Sequence, residues 1–204
     1  DYRKSTKEII ETFLKEFKPE EPVDLILSID NVWGDRIDGF TTTEERLEYW
    51  NLKDDRLKTK HFSSRKDYIT YLKNGHVFLS CARSEGWNLP LIEAMACGLP
   101  VVCSNAASLP EVVGDAALVS QPNDYKQISE NVLSILNNND LGKDLIERGF
   151  KNVTRFSWTK NIEKTINIYN QVLTNNQKKT KKIIFFQRKM EFYGSIELYF
   201  SGVR

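Results

Sequence analysis

The stretch from Ser84 to Val102, SEGWNLPLIEAMACGLPVV, constrains the fold of this chain more than any other segment. Pro90 suits the first turn of a helix, where its missing N–H group costs nothing. Gly98 follows an apolar helical body, at a place where a left-handed helix cap is expected. The residues from Leu99 to Val102 then resume as a buried strand. The segment therefore predicts a loop, a helix that begins at Leu89 or Pro90, and a strand.

The start of this helix predicts a site for an anion and for hydroxyl groups. The free N–H groups and the positive dipole end of a helix attract anions, and Gly86 lets the backbone approach a ligand closely. Two carboxylates flank the site, Glu85 in the loop and Glu93 in the helix. Carboxylates repel phosphate but accept hydrogen bonds from hydroxyls. The combination predicts a pocket for a sugar that is attached to a phosphate.

Length and composition exclude several classes of protein. The 204 residues suffice for one domain with a sizeable core and for a fragment of another. The formal net charge of +1 gives no indication of nucleic-acid binding. Cys81, Cys97 and Cys103 have no metal-ligand spacing, and an odd number of thiols favours a reducing, cytoplasmic location. Because the chain starts at Asp1 without a signal peptide, we expect it to be an excerpt of a longer protein.

Strand patterns alternate with helix patterns along the chain. The predicted strands are residues 23–29, 56–62, 76–81, 99–102 and 116–119. The predicted helices lie before, between and after them, at residues 1–17, 42–49, 64–73, 89–97, 109–113, 124–136, 140–152 and 159–173. This alternation predicts an α/β, Rossmann-like open parallel sheet with helices on both faces. Ligands of such sheets bind beyond the carboxyl ends of the strands, and the Glu85 loop follows the strand that ends at Cys81.

The central stretch resembles a known family of enzymes. Glu85 and Glu93 form an E-x7-E pattern inside E-G-W-N-L-P-L-I-E-A-M-A-C-G-L-P-V-V, and L-P-E-V-V-G-D-A-A-L-V follows from Leu109 to Val119. These blocks are similar to the donor-binding C-terminal domain of retaining GT-B glycosyltransferases of family 4. The resemblance covers about residues 1–173. It implies transfer of a sugar from a nucleotide diphosphate sugar, with retained anomeric configuration, to a glycan or lipid-linked glycan.

The resemblance implies two catalytic residues, Glu85 and Lys4. Lys4 would balance the charge of the donor diphosphate, and Glu85 would accept the hydroxyls of the donor sugar. Arg3 completes an R-K pair that the family carries at this helix start, although the pair also fits a solvated surface. The family usually has Gly where this chain has Ser5. Ser5 and Glu8 also have the spacing of a capping box.

The resemblance also implies a set of substrate-binding residues. Glu93 would bind the ribose hydroxyls, or else it is only a favourable charge near a helix N-terminus. The backbone amides after Gly86 would hold phosphate or sugar, and the loop around Phe62 to Arg65 would recognise the base. The predicted substrate-binding residues are Arg3, Gly86, Trp87, Asn88, Leu89, Glu93, Phe62 and Ser63.

No metal or cofactor is expected, because no D-x-D pair follows a predicted strand. Catalysis would then consist mainly of stabilising the departing diphosphate. The expected partners are the nucleotide-sugar donor and an N-terminal GT-B domain, before Asp1, that holds the acceptor site. A peripheral association of the full enzyme with a membrane stays open. Two alternatives remain: a nucleotide-sugar binding module without activity of its own, and a sugar-nucleotide epimerase, although epimerases lack the E-G-x-x-L-P-x-x-E-A-M block.

The end of the chain differs in composition from the rest. Residues 174–182, TNNQKKTKK, are polar and basic, which is typical of a linker. Residues 183–204 are apolar again. They resemble the truncated start of a second domain, and the alternative is a C-terminal strand or hairpin of the first domain. The predicted organisation is thus a nucleotide-sugar-binding domain at 1–173, a linker at 174–182 and a tail at 183–204.

Overall fold

A computed structural model describes residues 2–29 and 39–175, which fall into two units. The first unit runs to Phe156. It begins with a 3₁₀ turn at Tyr2–Lys4. Its strands are β1 (Leu25–Leu27), β2 (Leu57–Thr59), β3 (Phe78–Ser80), β4 (Val101–Ser104) and β5 (Ala117–Ser120). Its helices are α1 (Thr6–Glu16), α2 (Thr43–Tyr49), α3 (Arg65–Leu72), α4 (Leu89–Ala96), α5 (Leu109–Val113), α6 (Tyr125–Asn137) and α7 (Asn139–Val153).

The strands are parallel, as the sequence predicts. Strand β1 pairs with β2, and β3, β4 and β5 pair in that order in a second sheet. The hydrogen-bonded ladders are shorter than the apolar runs of the sequence. The predicted strand at 23–29, for example, pairs only from Leu25 to Leu27. The α/β class is confirmed, and the described ladders divide into two sheets.

Strand β4 is the centre of the larger sheet, and its residues are buried on both faces. Val101 and Cys103 pack in one apolar cluster with Leu91 of α4 and Val112 of α5. Val102 points the other way and packs in a second cluster that includes residues of α6 and α7. This alternation follows from the two-residue period of a strand. Helices therefore cover both faces, as predicted, and the loops that follow β3 and β4 lie at the same edge.

Several helix ends match their sequence signals. Ser64 caps α3 by accepting from the Asp67 N–H at 3.1 Å, and Asp124 caps α6 by accepting from the Gln127 N–H at 3.1 Å. Helix α4 begins at Leu89, so Pro90 is its second residue. Gly98 has a φ of +79°, which is the left-handed conformation expected after the helix.

The predicted capping box at Ser5 is wrong. A capping side chain needs extended backbone to reach back to the helix N–H groups, whereas Ser5 is left-handed, with a φ of 54°. Its hydroxyl makes no cap hydrogen bond, is buried, and has no partner among the described residues. Glu8 pairs with Arg83 instead. A capping box does form at α2, between Thr42 and Glu45.

The second unit contains helix α8, Trp158–Asn175. The predicted helix at 159–173 is therefore confirmed, and it extends slightly at both ends. The remainder of the predicted linker, from 176 on, and the tail at 183–204 lie outside the described residues, so the domain boundaries stay predictions. In the part of the chain that the structure describes, no helix is long and apolar enough to cross a membrane.

Candidate functional site

The loop between β3 and α4 lies at the carboxyl edge of the larger sheet. It leaves β3 after Ser80 and enters α4 at Leu89. The loop that follows the neighbouring strand β4 contacts it, because the Ser108 hydroxyl donates to the Glu85 carbonyl at 2.8 Å. Loops after adjacent parallel strands thus meet where ligands of such sheets bind. This is the edge at which the sequence places the site.

Glu85 is paired with both cations of the predicted R-K pair. Arg3 Nη1 lies 3.0 Å from Glu85 Oε1, and the Lys4 ammonium contacts the same oxygen. Arg3 Nη1 also donates to the Ser84 carbonyl at 3.1 Å. The Glu85 side chain is only 12% exposed, whereas those of Arg3 and Lys4 are 44% and 40% exposed. Two cations around one carboxylate leave an excess positive charge that faces solvent.

The pKa of Lys4 is unusually low for a lysine. Burial, and then the neighbouring Arg3 guanidinium, lower the pKa of Lys4 to about 8. Both factors disfavour the ammonium form. Lys4 is therefore mostly charged at neutral pH and loses its proton in mildly basic solution.

Asn88 shapes the entrance to α4. Its φ of 64° is left-handed, a conformation that asparagine tolerates better than most residues. Its Nδ2 donates to the Ser80 hydroxyl at 2.8 Å, which ties the loop to the end of β3. This side chain does not cap the helix. Pro90 has no N–H, and the Leu91 N–H donates to the Asn88 carbonyl at 3.1 Å. A phosphate or a sugar oxygen could therefore accept from the Leu89 N–H, at the start of the helix.

The rest of the loop is open and partly apolar. A Cβ atom built on Gly86 would have no neighbour within 4 Å, so there is space beside this backbone. The Trp87 side chain is 41% exposed, and Leu89 is 48% exposed. The Trp87 ring packs edge-on against Phe156, with the ring centroids 5.3 Å apart. The predicted binding residues of this loop therefore form one accessible surface.

Glu93 lies between α3 and α4. Its Oε1 is 2.8 Å from Arg65 Nη1, and its carboxylate accepts from the Tyr68 hydroxyl. Burial, and then the charge of Glu93, raise the pKa of Tyr68 above its ordinary value. Phe62 packs edge-on against Tyr68, with centroids 5.3 Å apart, and the Ser63 N–H donates to Asp67 at 3.4 Å. The structure thus brings the predicted base-recognition loop beside Glu93.

Sequence reasoning missed three residues that hold this site together, Tyr68, Arg83 and Ser108. It placed Arg65 in the base-recognition loop but did not predict its ion pair with Glu93. Arg65 and Tyr68 follow the Ser64 cap one helical turn apart, which places both on one face of α3. Arg83 lies three residues after the end of β3, and its partners are distant in the sequence. Nothing in the sequence near Ser108 indicates its contact with Glu85.

The described residues contain no cluster of three or more His, Cys, Asp or Glu side chains that could hold a metal ion. Metal-independent binding stays a prediction. Cys81 and Cys103 are buried in the core, where burial raises the pKa of both thiols.

A comparison with protein families identifies the chain. The model of the family described as glycosyl transferases group 1 matches residues 38–152, a range that includes Glu85, Glu93 and helix α4. The chain belongs to the glycosyl transferases group 1 family. Members of this family are glycosyltransferases, and the solved structures that resemble this chain have the GT-B fold. The group 1 region thus contains the whole loop between β3 and α4.

Individual relatives agree with this assignment. The O-antigen chain mannosyltransferase B of Escherichia coli is 49% identical over 85 residues, which cover 42% of this chain and 22% of that protein. Sucrose-phosphate synthase from Thermosynechococcus elongatus has a TM-score of 0.65 at 21% identity, over 86% of this chain and 44% of its own. Anabaena HepE, solved in complex with UDP-glucose, has a TM-score of 0.66 at 17% identity, over 86% and 46%. The group 1 chain spans less than half the length of each.

Proposed function

We propose that the chain is the donor-binding part of a retaining glycosyltransferase of family 4. It would move a sugar from a nucleotide diphosphate sugar to a glycan or lipid-linked glycan. The observation that carries this proposal is the position of Glu85. It contacts Arg3 and Lys4 in the loop before α4, and seven residues separate it from Glu93. A cation pair, a helix start and two carboxylates match the charges and hydroxyls of such a donor.

The proposed roles of Lys4, Arg3 and Glu85 in donor binding follow from their charges. The donor diphosphate binds between Lys4, Arg3 and the backbone amides that lead into α4, because these groups carry positive charge or donate hydrogen bonds. When Lys4 turns to the diphosphate, Glu85 regains an acceptor oxygen for the hydroxyls of the sugar. As the bond to the sugar breaks, negative charge grows on the diphosphate. The same cations and amides then stabilise the departing group.

Glu93 binds the nucleoside in this proposal. Its carboxylate has two oxygens and can accept several hydrogen bonds, so its contacts with Arg65 and Tyr68 leave capacity for the ribose hydroxyls. These contacts also fix the orientation of the carboxylate before the donor arrives. The neighbouring loop with Phe62 and Ser63 then lies next to the base.

Two of the relatives support a nucleotide diphosphate sugar as the donor. One is named a mannosyltransferase, and another was solved with UDP-glucose. We propose further that donor binding requires no metal, since the described cations, Arg3 and Lys4, already lie where the diphosphate would bind. The free cysteines, Cys81, Cys97 and Cys103, support a cytoplasmic location.

One alternative is a binding module without activity of its own. The chain spans between 22% and 46% of the length of the relatives described above, and the family places its acceptor site in another domain. A turnover assay beside a binding titration separates the two, because a binding module holds the donor without consuming it. An epimerase would instead convert the donor into an isomer, which the same assay detects by chromatography.

A thermal-shift panel tests the proposal. The chain is heated alone and with UDP-, GDP-, ADP- and TDP-sugars. One class should raise the melting temperature, since a ligand that binds only the folded state stabilises it. No shift with any member of the panel would count against a donor-binding function.

The affinity for the donor should depend on pH through Lys4. Only the protonated ammonium pairs with the diphosphate, so affinity should fall as the pH rises through about 8, the pKa of Lys4. The diphosphate bears a constant charge in this range. Titrations between about pH 7 and pH 9 check this. The Lys4→Met variant should bind the donor more weakly, and its affinity should not fall over this pH range. An equal fall in this variant would mean that another group causes the pH dependence.

A further inference from the structure

We propose that Arg83 is a positioning residue of the donor site, which holds the start of α1, with Lys4, against the loop that carries Glu85. Only the predicted effect of Arg83 on donor affinity rests on the proposed function. The placement of Lys4 itself can be measured without a donor.

The Arg83 side chain joins three parts of the fold. Its Nη2 lies 2.8 Å from Glu8 Oε1 on α1, and the same nitrogen donates to the Tyr125 hydroxyl on α6 at 2.7 Å. Its Nε donates to Asn123 Oδ1, in the turn before α6, at 2.7 Å. The side chain is only 16% exposed. A planar guanidinium can serve all these partners at once, which an ammonium cannot.

The main chain of Arg83 makes a second connection to the same segment. Its N–H donates to the Arg3 carbonyl at 2.7 Å. The next two residues are Ser84 and Glu85, the residues that Arg3 and Lys4 contact. Arg83 therefore holds the segment before α1 through its backbone and the first turn of α1 through Glu8.

The ion pair with Glu8 persists over a wide pH range. Burial alone would raise the pKa of Glu8. The hydrogen bond and charge of the Arg83 guanidinium, with a backbone hydrogen bond and the charge of Lys7, together outweigh burial, so the pKa lies below its ordinary value. Glu8 is thus ionised at neutral pH. Removing Arg83 would leave this carboxylate without its cation and would loosen the start of α1 from the Glu85 loop.

Lys4 should report this loosening. The charged groups that face it are Arg3 and Glu85, and its low pKa comes first from burial and then from the charge of Arg3. If α1 moves away from the loop, Lys4 becomes more solvated. Its pKa should then rise from about 8 toward the ordinary value of 10.5.

Arg56 provides a matched control, because it holds the opposite end of α1. Its Nη1 donates to the Phe17 carbonyl at 2.7 Å, its Nε lies 2.9 Å from Asp54 Oδ1, and its side chain is 11% exposed. Arg56→Met should lower the melting temperature in the same way as Arg83→Met. It should leave both the titration of Lys4 and the affinity for the donor unchanged.

The experiment compares four proteins: the wild type, Arg83→Met, Arg83→Lys and Arg56→Met. NMR measures the titration of Lys4 in the ligand-free proteins, and calorimetry measures their affinity for the donor. We expect Arg83→Met to raise the pKa of Lys4 and to weaken donor binding about tenfold or more. Arg83→Lys should have a smaller effect in the same direction. If Arg83→Met does not fold, the Lys4 titration and the donor affinity of Arg83→Lys test the inference.

An unchanged Lys4 titration in the Arg83 variants would overturn the inference. Equal losses of donor affinity in Arg83→Met and Arg56→Met would also overturn it, since general stability would then explain the effect. If the wild type binds no nucleotide sugar, the proposed function fails by itself. The Lys4 titration then still decides the role of Arg83.

Discussion

Leu91→Ala should lower the free energy of unfolding by about 2–5 kcal/mol, the range for a buried leucine in a core that cannot collapse around the cavity. Leu91 lies in α4, is 0% exposed and packs in the cluster that contains Val101 and Cys103 of β4. The substitution removes apolar contacts at the centre of the unit. Urea denaturation, followed by circular dichroism, measures the change.

Leu89→Ala is the matched control, because Leu89 is on the same helix but 48% exposed. Its effect on the free energy of unfolding should stay within about 0.5 kcal/mol. Comparable losses in the two variants would contradict the orientation of α4, since they would place both side chains in similar surroundings.

Glu93→Ala should weaken binding of the nucleotide diphosphate sugar by about 1–3 kcal/mol, the loss expected when bound hydroxyls lose their acceptor. The carboxylate lies on the first turns of α4, where Arg65 and Tyr68 hold it beside the loop that contains Phe62. Isothermal titration calorimetry measures the affinity. Circular dichroism checks that the variant keeps its helices.

Glu130→Ala controls for the loss of a helical carboxylate. Glu130 is 3.6 Å from Lys126 in an exposed ion pair on α6, and its removal should leave the donor affinity unchanged. An unchanged affinity in Glu93→Ala as well would mean that Glu93 serves only the contact between α3 and α4.

Local signals in the sequence predicted much of the fold. The apolar run at 99–102 placed a buried strand near β4, and Ser64, Asp124 and Gly98 marked helix ends that the structure confirms. These signals work because a cap or a left-handed glycine acts within a few residues of its own position. The parallel class followed from the alternation of strands and helices.

Contacts between distant residues could not be predicted in the same way. Arg83 and Glu8 are 75 positions apart, and Lys4 and Glu85 are 81 apart. The resemblance to a family placed Lys4 and Glu85 in one site but did not predict their ion pair, and nothing in the sequence indicated the contact between Arg83 and Glu8. The capping box predicted at Ser5 does not form, because Ser5 has a left-handed backbone. The spacing of side chains in the sequence does not reveal the φ angle of the residue expected to cap the helix.

The central claim is that this chain binds a nucleotide diphosphate sugar at the Glu85 loop without a metal. The most direct measurement is a calorimetric titration of the intact chain, in EDTA, with the nucleotide sugar that the thermal-shift panel selects. We predict binding of one donor per chain, with the same affinity after Mg²⁺ or Mn²⁺ replaces the chelator. The absence of any binding, or binding that appears only when the metal is present, would contradict this account.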